Sequence, residues 1–113
     1  DGEVSVSGVE VPGAATVTLE VIKGETIRQP LLENDEVFSQ IYSAETLDEA
    51  AKEATREMID RIVAKSNLPI SDVTMLMSAV GQAEICQIVD PLMTARFVVP
   101  KWLLEKLDVT LIG

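Results

Sequence analysis

Two carboxylates around a glycine, Asp1-Gly2-Glu3, stand just ahead of an apolar run at the start of the chain. Carboxylates held in a tight loop bind a divalent cation, or one works as a base whose pKa the other raises. Read alone, the same three residues also suit a solvated loop end. Glu10 and Glu20 fall at outward positions of predicted strands and are read as solvated. Cys86 lies inside an apolar stretch, with no positive residue beside it and no histidine in the chain to pair with. It reads as a small buried hydrophobe rather than a reactive thiol. Glu84 and Arg96 lie on two neighbouring candidate strands, where a cross-strand ion pair would be structural. No phosphate-cradling glycine loop, nucleophile elbow or Cys/His metal spacing is present.

The elements that must position these groups follow from composition and pattern. With 113 residues, the chain is read as a single α+β segment spanning 1–113. Roughly two-thirds of its extended surface can be buried at this size, enough for one core. That core is built from Val, Ile, Leu, Ala and Met, because only Phe38, Tyr42, Phe97 and Trp102 are aromatic. A net charge of −10 argues against nucleic acid and anionic membrane surfaces, which select Lys/Arg patches. No apolar run approaches a membrane span and no signal-peptide pattern opens the chain. The lone cysteine makes no internal disulfide, which points to a reducing, cytoplasmic setting. The chain starts without methionine and already runs into a predicted strand, so it reads as a piece of a longer polypeptide.

Residues 71–100 are expected to form the core. Ser71 and Asp72 open a helix after Pro69; it is apolar nearly all round, so burial on more than one side is expected. Met75 and Met77 read as core filler, and Gly81 as the left-handed residue that ends the helix. Ile85–Val89 and Thr94–Val99 read as strands, the second stopped by Pro100.

Upstream, Val4–Ser7 and Val9–Val11 alternate around Gly8, read as a bulge, and Pro12-Gly13 as a turn. Thr16–Ile22 is the cleanest strand pattern, with Val17, Leu19 and Val21 facing one way, giving an antiparallel hairpin. Glu33–Glu36 reads as loop and Val37–Tyr42 as strand, with no decision on which face is inside. From Thr46 a capping box with Glu49 starts a long helix whose stripe is Leu47, Ala51, Ala54, Met58 and Ile62. Its outer face offers Asp48–Lys52 and Glu57–Arg61 pairs, and Ser66-Asn67 ends it. Lys101–Leu107 reads as two helical turns with Trp102 and Leu103 inward, and Asp108–Ile112 as an edge strand. The expected class is α+β: a mainly antiparallel sheet with a long amphipathic helix and a short buried helix on one face.

Several stretches together resemble the C-terminal part of the acetamidase/formamidase family. They are Asp1-Gly2-Glu3-Val4 with Gly8-Val9-Glu10, and Ala54-Thr55-Arg56-Glu57-Met58-Ile59-Asp60. They continue with Met75–Gly81, Ile85–Pro91 and Val98-Val99-Pro100-Lys101, so that order and spacing cover nearly the whole chain. The resemblance implies hydrolysis of short linear amides with release of ammonia, assisted by a divalent metal ion such as zinc. It implies Glu3 as base or metal-site carboxylate and Asp1 as ligand or its orienter. The family's glycine before Asp1 and its upstream histidines are missing, and Gln82 and Glu84 depart from its pattern, so no ligand role is carried there. The implied partners are a small amide substrate, the upstream part of the same polypeptide and further copies in a homo-oligomer. The competing reading is a non-catalytic acidic binding or subunit-assembly module. An interrupted domain also exposes apolar strand edges, so self-association is expected.

Overall fold

The computed structural model describes residues 4–112, so Asp1, Gly2, Glu3 and Gly113 lie outside the described residues. In chain order the elements are β1 (Leu31–Glu33), β2 (Val37–Ala44), α1 (Leu47–Lys65), α2 (Ile70–Val80), β3 (Gln82–Gln87), β4 (Met93–Pro100) and α3 (Lys101–Lys106). The strands form one antiparallel sheet in the order β1-β2-β4-β3. The α+β expectation holds, with the two longest strands side by side at the centre.

Register decides what each face carries. Phe38, Gln40, Tyr42 and Ala44 stand opposite Val99, Phe97, Ala95 and Met93, so these eight share a face. α1 covers it with Ala50, Ala54, Met58 and Ile62, all fully buried. The small Ala50 packs with Ala44 and Ala95, while Met58 and Ile62 belong to the larger core cluster. Thr46 caps α1 as its pattern requires, its hydroxyl accepting from the Glu49 backbone N–H at 3.2 Å. The Asp48–Lys52 and Glu57–Arg61 pairs are not closed. The ion pairs formed from this helix are Glu53–Arg56 and Glu25–Lys65.

The short helix corrects one expectation. α2 buries Val73 and Met77 against α1 and Phe97, but Met75 remains 64 % exposed and Ile70 lies outside too. One apolar face is used and the other is bare. Gly81 is not left-handed either: its φ is −75° and ψ 156°. Its requirement is space, because a Cβ there would overlap the Phe97 ring and crowd the Met77 carbonyl.

At the other end, α3 finishes in a Schellman motif. Asp108 takes the left-handed conformation (φ 53°); its N–H reaches the Glu105 carbonyl at 3.1 Å and the Val109 N–H the Leu104 carbonyl at 2.9 Å. Val109 and Leu104 are both buried in the main core, the apolar contact that accompanies this motif. Residues 108–112 are therefore a packed tail and not the expected edge strand; Val109 and Leu111 are tucked under the sheet instead of paired to it. Leu103 and Leu104 point inward, whereas Trp102 is half-exposed, beneath the Lys106 ammonium at 5.3 Å from the ring centre.

β1 was hidden in the sequence between Pro30 and a polar run read as loop. That run is a hairpin turn: Asn34 Oδ1 accepts from the backbone N–H groups of Glu36 (2.9 Å) and Val37 (2.8 Å), closing β1 on β2. β3 begins three residues earlier than expected, at Gln82, and stops at Gln87.

The largest departure concerns the expected N-terminal hairpin. Residues 4–30 contain no strand, and Gly8 and Pro12-Gly13 shape neither a bulge nor a turn. Val17, Leu19 and Val21 are 81 %, 92 % and 87 % exposed. Alternation encodes which side of a strand is to be buried but not against what, and nothing among the described residues pairs with this stretch. Among the described residues, no helix is long and apolar enough to cross a membrane.

Candidate functional site

The two carboxylates singled out in the sequence, Asp1 and Glu3, lie outside the described residues. The first described residues lie beside the end of β3, and that neighbourhood can be described. Val4 and Val6 face Ile85, Cys86, Gln87, Ile88 and Val89 across a hollow of about 440 Å³ at the far end of β3. Val6 has φ 63°, an outlier for a β-branched residue, so the chain bends sharply just past the acidic start.

Gln87 organises the β3–β4 end of this neighbourhood. Its side-chain carbonyl accepts from the N–H groups of Val89 and Asp90, both at 2.9 Å. Its amide donates to the Leu92 carbonyl and, at 3.1 Å, to the Thr94 hydroxyl. One side chain thus replaces a ladder across the turn. Composition offered no sign of this role, because a strand glutamine reads as surface.

Cys86 sits at an irregularity in the β3–β4 pairing, between Ile85 and Gln87. It is half-buried, and that burial pushes its thiol pKa up; Arg96 opposes the shift and Glu84 adds to it. Cys86 is thus less buried than the small-hydrophobe reading expected, and Arg96 is a positive group near it that its chain neighbours did not suggest. Glu84 and Arg96 face each other in register, as expected, and close at 2.7 Å. Both are over a third exposed, so the pair is worth about 0.2–1 kcal/mol. Glu84 already has a partner and is not a free base.

Ser39 and Gln40, whose facing the sequence left open, are both inside. Gln40 donates to the carbonyls of Ile41 (3.1 Å) and Pro30 (3.4 Å), while its own Oε1 and the Ser39 hydroxyl have no partner. They lie on opposite faces of β2 and do not converge. Among the described residues, no group of three or more His, Cys, Asp or Glu side chains comes together as a metal site.

One ion pair ties the stretch before β1 to the helix layer. Glu25 accepts from Lys65 at 2.7 Å, and that hydrogen bond and charge hold the Glu25 carboxyl below its ordinary range. Burial works against this, and Arg61 adds a smaller pull in the same direction as Lys65. A depressed carboxyl pKa stabilises the docked state above the unfolded value and loses that effect as pH falls through the folded one. Residues 23–28 are thus expected to loosen from α1 as pH drops below about 4.5. Amide hydrogen exchange across 23–28 would show it, and Glu25→Gln should remove the pH dependence; an unchanged acid profile in that variant would refute it.

Neither a protein-family model nor a curated protein matches the chain. Several solved structures do, among them three crystal structures. A recombinant predicted acetamidase/formamidase from the thermophile Thermoanaerobacter tengcongensis is 40 % identical over 80 % of this chain, with a TM-score of 0.77. An acetamidase from Bacillus halodurans is 44 % identical over 71 %, with a TM-score of 0.69. An acetamidase from Yersinia enterocolitica is 34 % identical over 74 %, also with a TM-score of 0.69. The chain spans 30 %, 27 % and 25 % of the respective structures.

Proposed function

We propose, from the premise that this chain matches acetamidase/formamidase structures in both fold and sequence, that it is the C-terminal α+β part of an amide hydrolase. The reaction is cleavage of the C–N bond of a short linear amide, of the formamide or acetamide type, with release of ammonia. The observation that carries this reading is sequence identity of 34–44 % to proteins bearing those names, sustained over 71–80 % of the chain.

In this reading Glu3 is the base or a metal-site carboxylate, and Asp1 is a ligand or the group that orients one. Attack of water on an amide carbonyl requires a proton to leave the water and another to reach the departing nitrogen. A single carboxylate positioned beside both can take the first and return it to the second. A divalent ion such as zinc, when bound, would polarise the carbonyl and make the water more acidic. A catalytic zinc site takes about three protein ligands, and the described residues assemble no such cluster. Residues 4–112 thus do not fit as the holder of the ion. Asp1 and Glu3 would supply only part of its ligand set.

Two assays separate the parts of this proposal. Residues 1–113 alone, incubated with formamide or acetamide with and without Zn²⁺, are expected to release no ammonia above the blank. Turnover would overturn the incompleteness of the site. The same segment carried in a chain of its relatives' length is expected to release ammonia, and Glu3→Gln there should lower kcat more than Glu10→Gln. No release from either amide by that longer chain would remove the hydrolase reading itself.

A further inference from the structure

Residues 88–92, which join β3 to β4, make no backbone–backbone hydrogen bond with any described residue. What holds them is the Gln87 side chain. We propose, resting on the amide-hydrolase reading above, that Gln87 is a positioning residue for that reaction. It fixes the loop that walls the hollow opposite Val4 and Val6, the residues leading on from Glu3.

The bonding of the amide shows how it acts. Backbone N–H groups only donate, so the atom facing Val89 and Asp90 is the side-chain carbonyl oxygen. The amide nitrogen is left to donate to the Leu92 carbonyl and the Thr94 hydroxyl. Thr94 in turn meets the Ser43 hydroxyl at 2.9 Å, so the loop is tied through Gln87 to the central strand β2. An amide offers two donor hydrogens and two acceptor lone pairs, and all of them are used inside the protein. Gln87 therefore has nothing left for a substrate and works only through the loop.

The loop matters to the reaction through what faces it. Ile88 and Val89 wall the hollow on one side, and Val4 and Val6 on the other. Val4 is joined to Glu3 by one peptide bond, which separates consecutive Cα atoms by about 3.8 Å. Val6, with φ 63°, holds a backbone conformation that persists in a β-branched residue only where the surroundings impose it. A base serves a proton only within hydrogen-bond reach, and a misplacement of about 1 Å can cost about a hundredfold in rate. Loops released from their anchors move on that scale. The fold itself depends little on the clamp, because Ile88, Asp90 and Leu92 are exposed and Gln87 is outside the core.

The test uses this segment carried in a chain of its relatives' length, with acetamide as substrate. Gln87→Met keeps the length of the side chain and removes all four hydrogen bonds. It is expected to lower kcat about 10–100-fold with KM within about twofold, and to speed hydrogen exchange at the Val89 and Asp90 amides while far-UV circular dichroism stays unchanged. Gln87→Glu keeps the acceptor for Val89 and Asp90 and gives up only donation, so it should retain several-fold more kcat than Gln87→Met. Thr94→Val, which leaves three of the four bonds, should lower kcat by a smaller factor and carries the test should Gln87→Met fail to fold. An unsubstituted chain that releases no ammonia removes the hydrolase reading and this role with it. With an active parent, four results each overturn the positioning role alone: an unchanged kcat in Gln87→Met and Thr94→Val, a change confined to KM, unaltered exchange at Val89 and Asp90, or a folded Gln87→Met as active as Gln87→Glu.

Discussion

Gly81→Ala is expected to destabilise this chain by about 2 kcal/mol or more, a shift of roughly thirtyfold in the ratio of folded to unfolded molecules. The backbone at Gly81, with φ −75° and ψ 156°, is one that alanine adopts without strain. Alanine also narrows the unfolded ensemble, which by itself would stabilise by about 0.4–1 kcal/mol. The steric term opposes this and is larger. The new methyl would overlap the Phe97 ring, and Phe97 is locked between α2 and the sheet. The Met77 carbonyl on the other side is backbone that already accepts the Gly81 N–H at 2.9 Å, so it cannot retreat without loosening the end of α2. Urea unfolding should show a lower midpoint at an unchanged slope. Phe97→Leu combined with Gly81→Ala should cost less than the sum of the two singles by at least about 0.5 kcal/mol, because the smaller side chain vacates the space. A stabilised Gly81→Ala would mean that the glycine serves conformational freedom after all.

That contrast shows where the sequence was legible. α1 was, because a 3.6-residue stripe and a Thr-x-x-Glu start are local signals that need no partner to be read. The Glu84–Arg96 pair was also legible, since two β-branched runs joined by a short Asp-Pro turn leave few registers. Gly81 was misread because sequence shows that a glycine is needed but not whether torsion or space demands it. The tail after α3 was misread because Asp108 takes a left-handed cap that glycine or asparagine would have advertised. β1 is three residues long and exists only through pairing with β2, so it has no periodicity of its own. The candidate site was read from the resemblance rather than from chemistry, and its two residues, Asp1 and Glu3, fall outside the described ones. Among the described residues, no three His, Cys, Asp or Glu side chains come together as a metal site. The amide-hydrolase reading therefore stands on stretches spread along the whole chain, most of them core and turn residues that shape the fold rather than act on a substrate.

Met58→Ala should be among the costliest substitutions in the chain, at about 2–5 kcal/mol, while Met75→Ala should stay within about 0.5 kcal/mol. Both methionines lie on helices and both read as core in the sequence, so only placement distinguishes them. Met58 is fully buried in the main core, apart from the Ala50–Ala44–Ala95 cluster. Its neighbours Ile62, Val73, Phe97 and Val99 are pinned by three different elements, so the space left by alanine cannot collapse from one side. Met75 lies on the opposite face of α2 and is exposed, so its removal opens no cavity. Against a total stability of about 5–15 kcal/mol for a domain, Met58→Ala would remove a large share of it. Equal losses at the two positions, by urea unfolding, would mean that α2 buries both of its faces, as its all-apolar pattern suggested. The expected inequality makes the outer face of α2 spare for this fold. The Met75 face is then apolar without serving the packing of this fold.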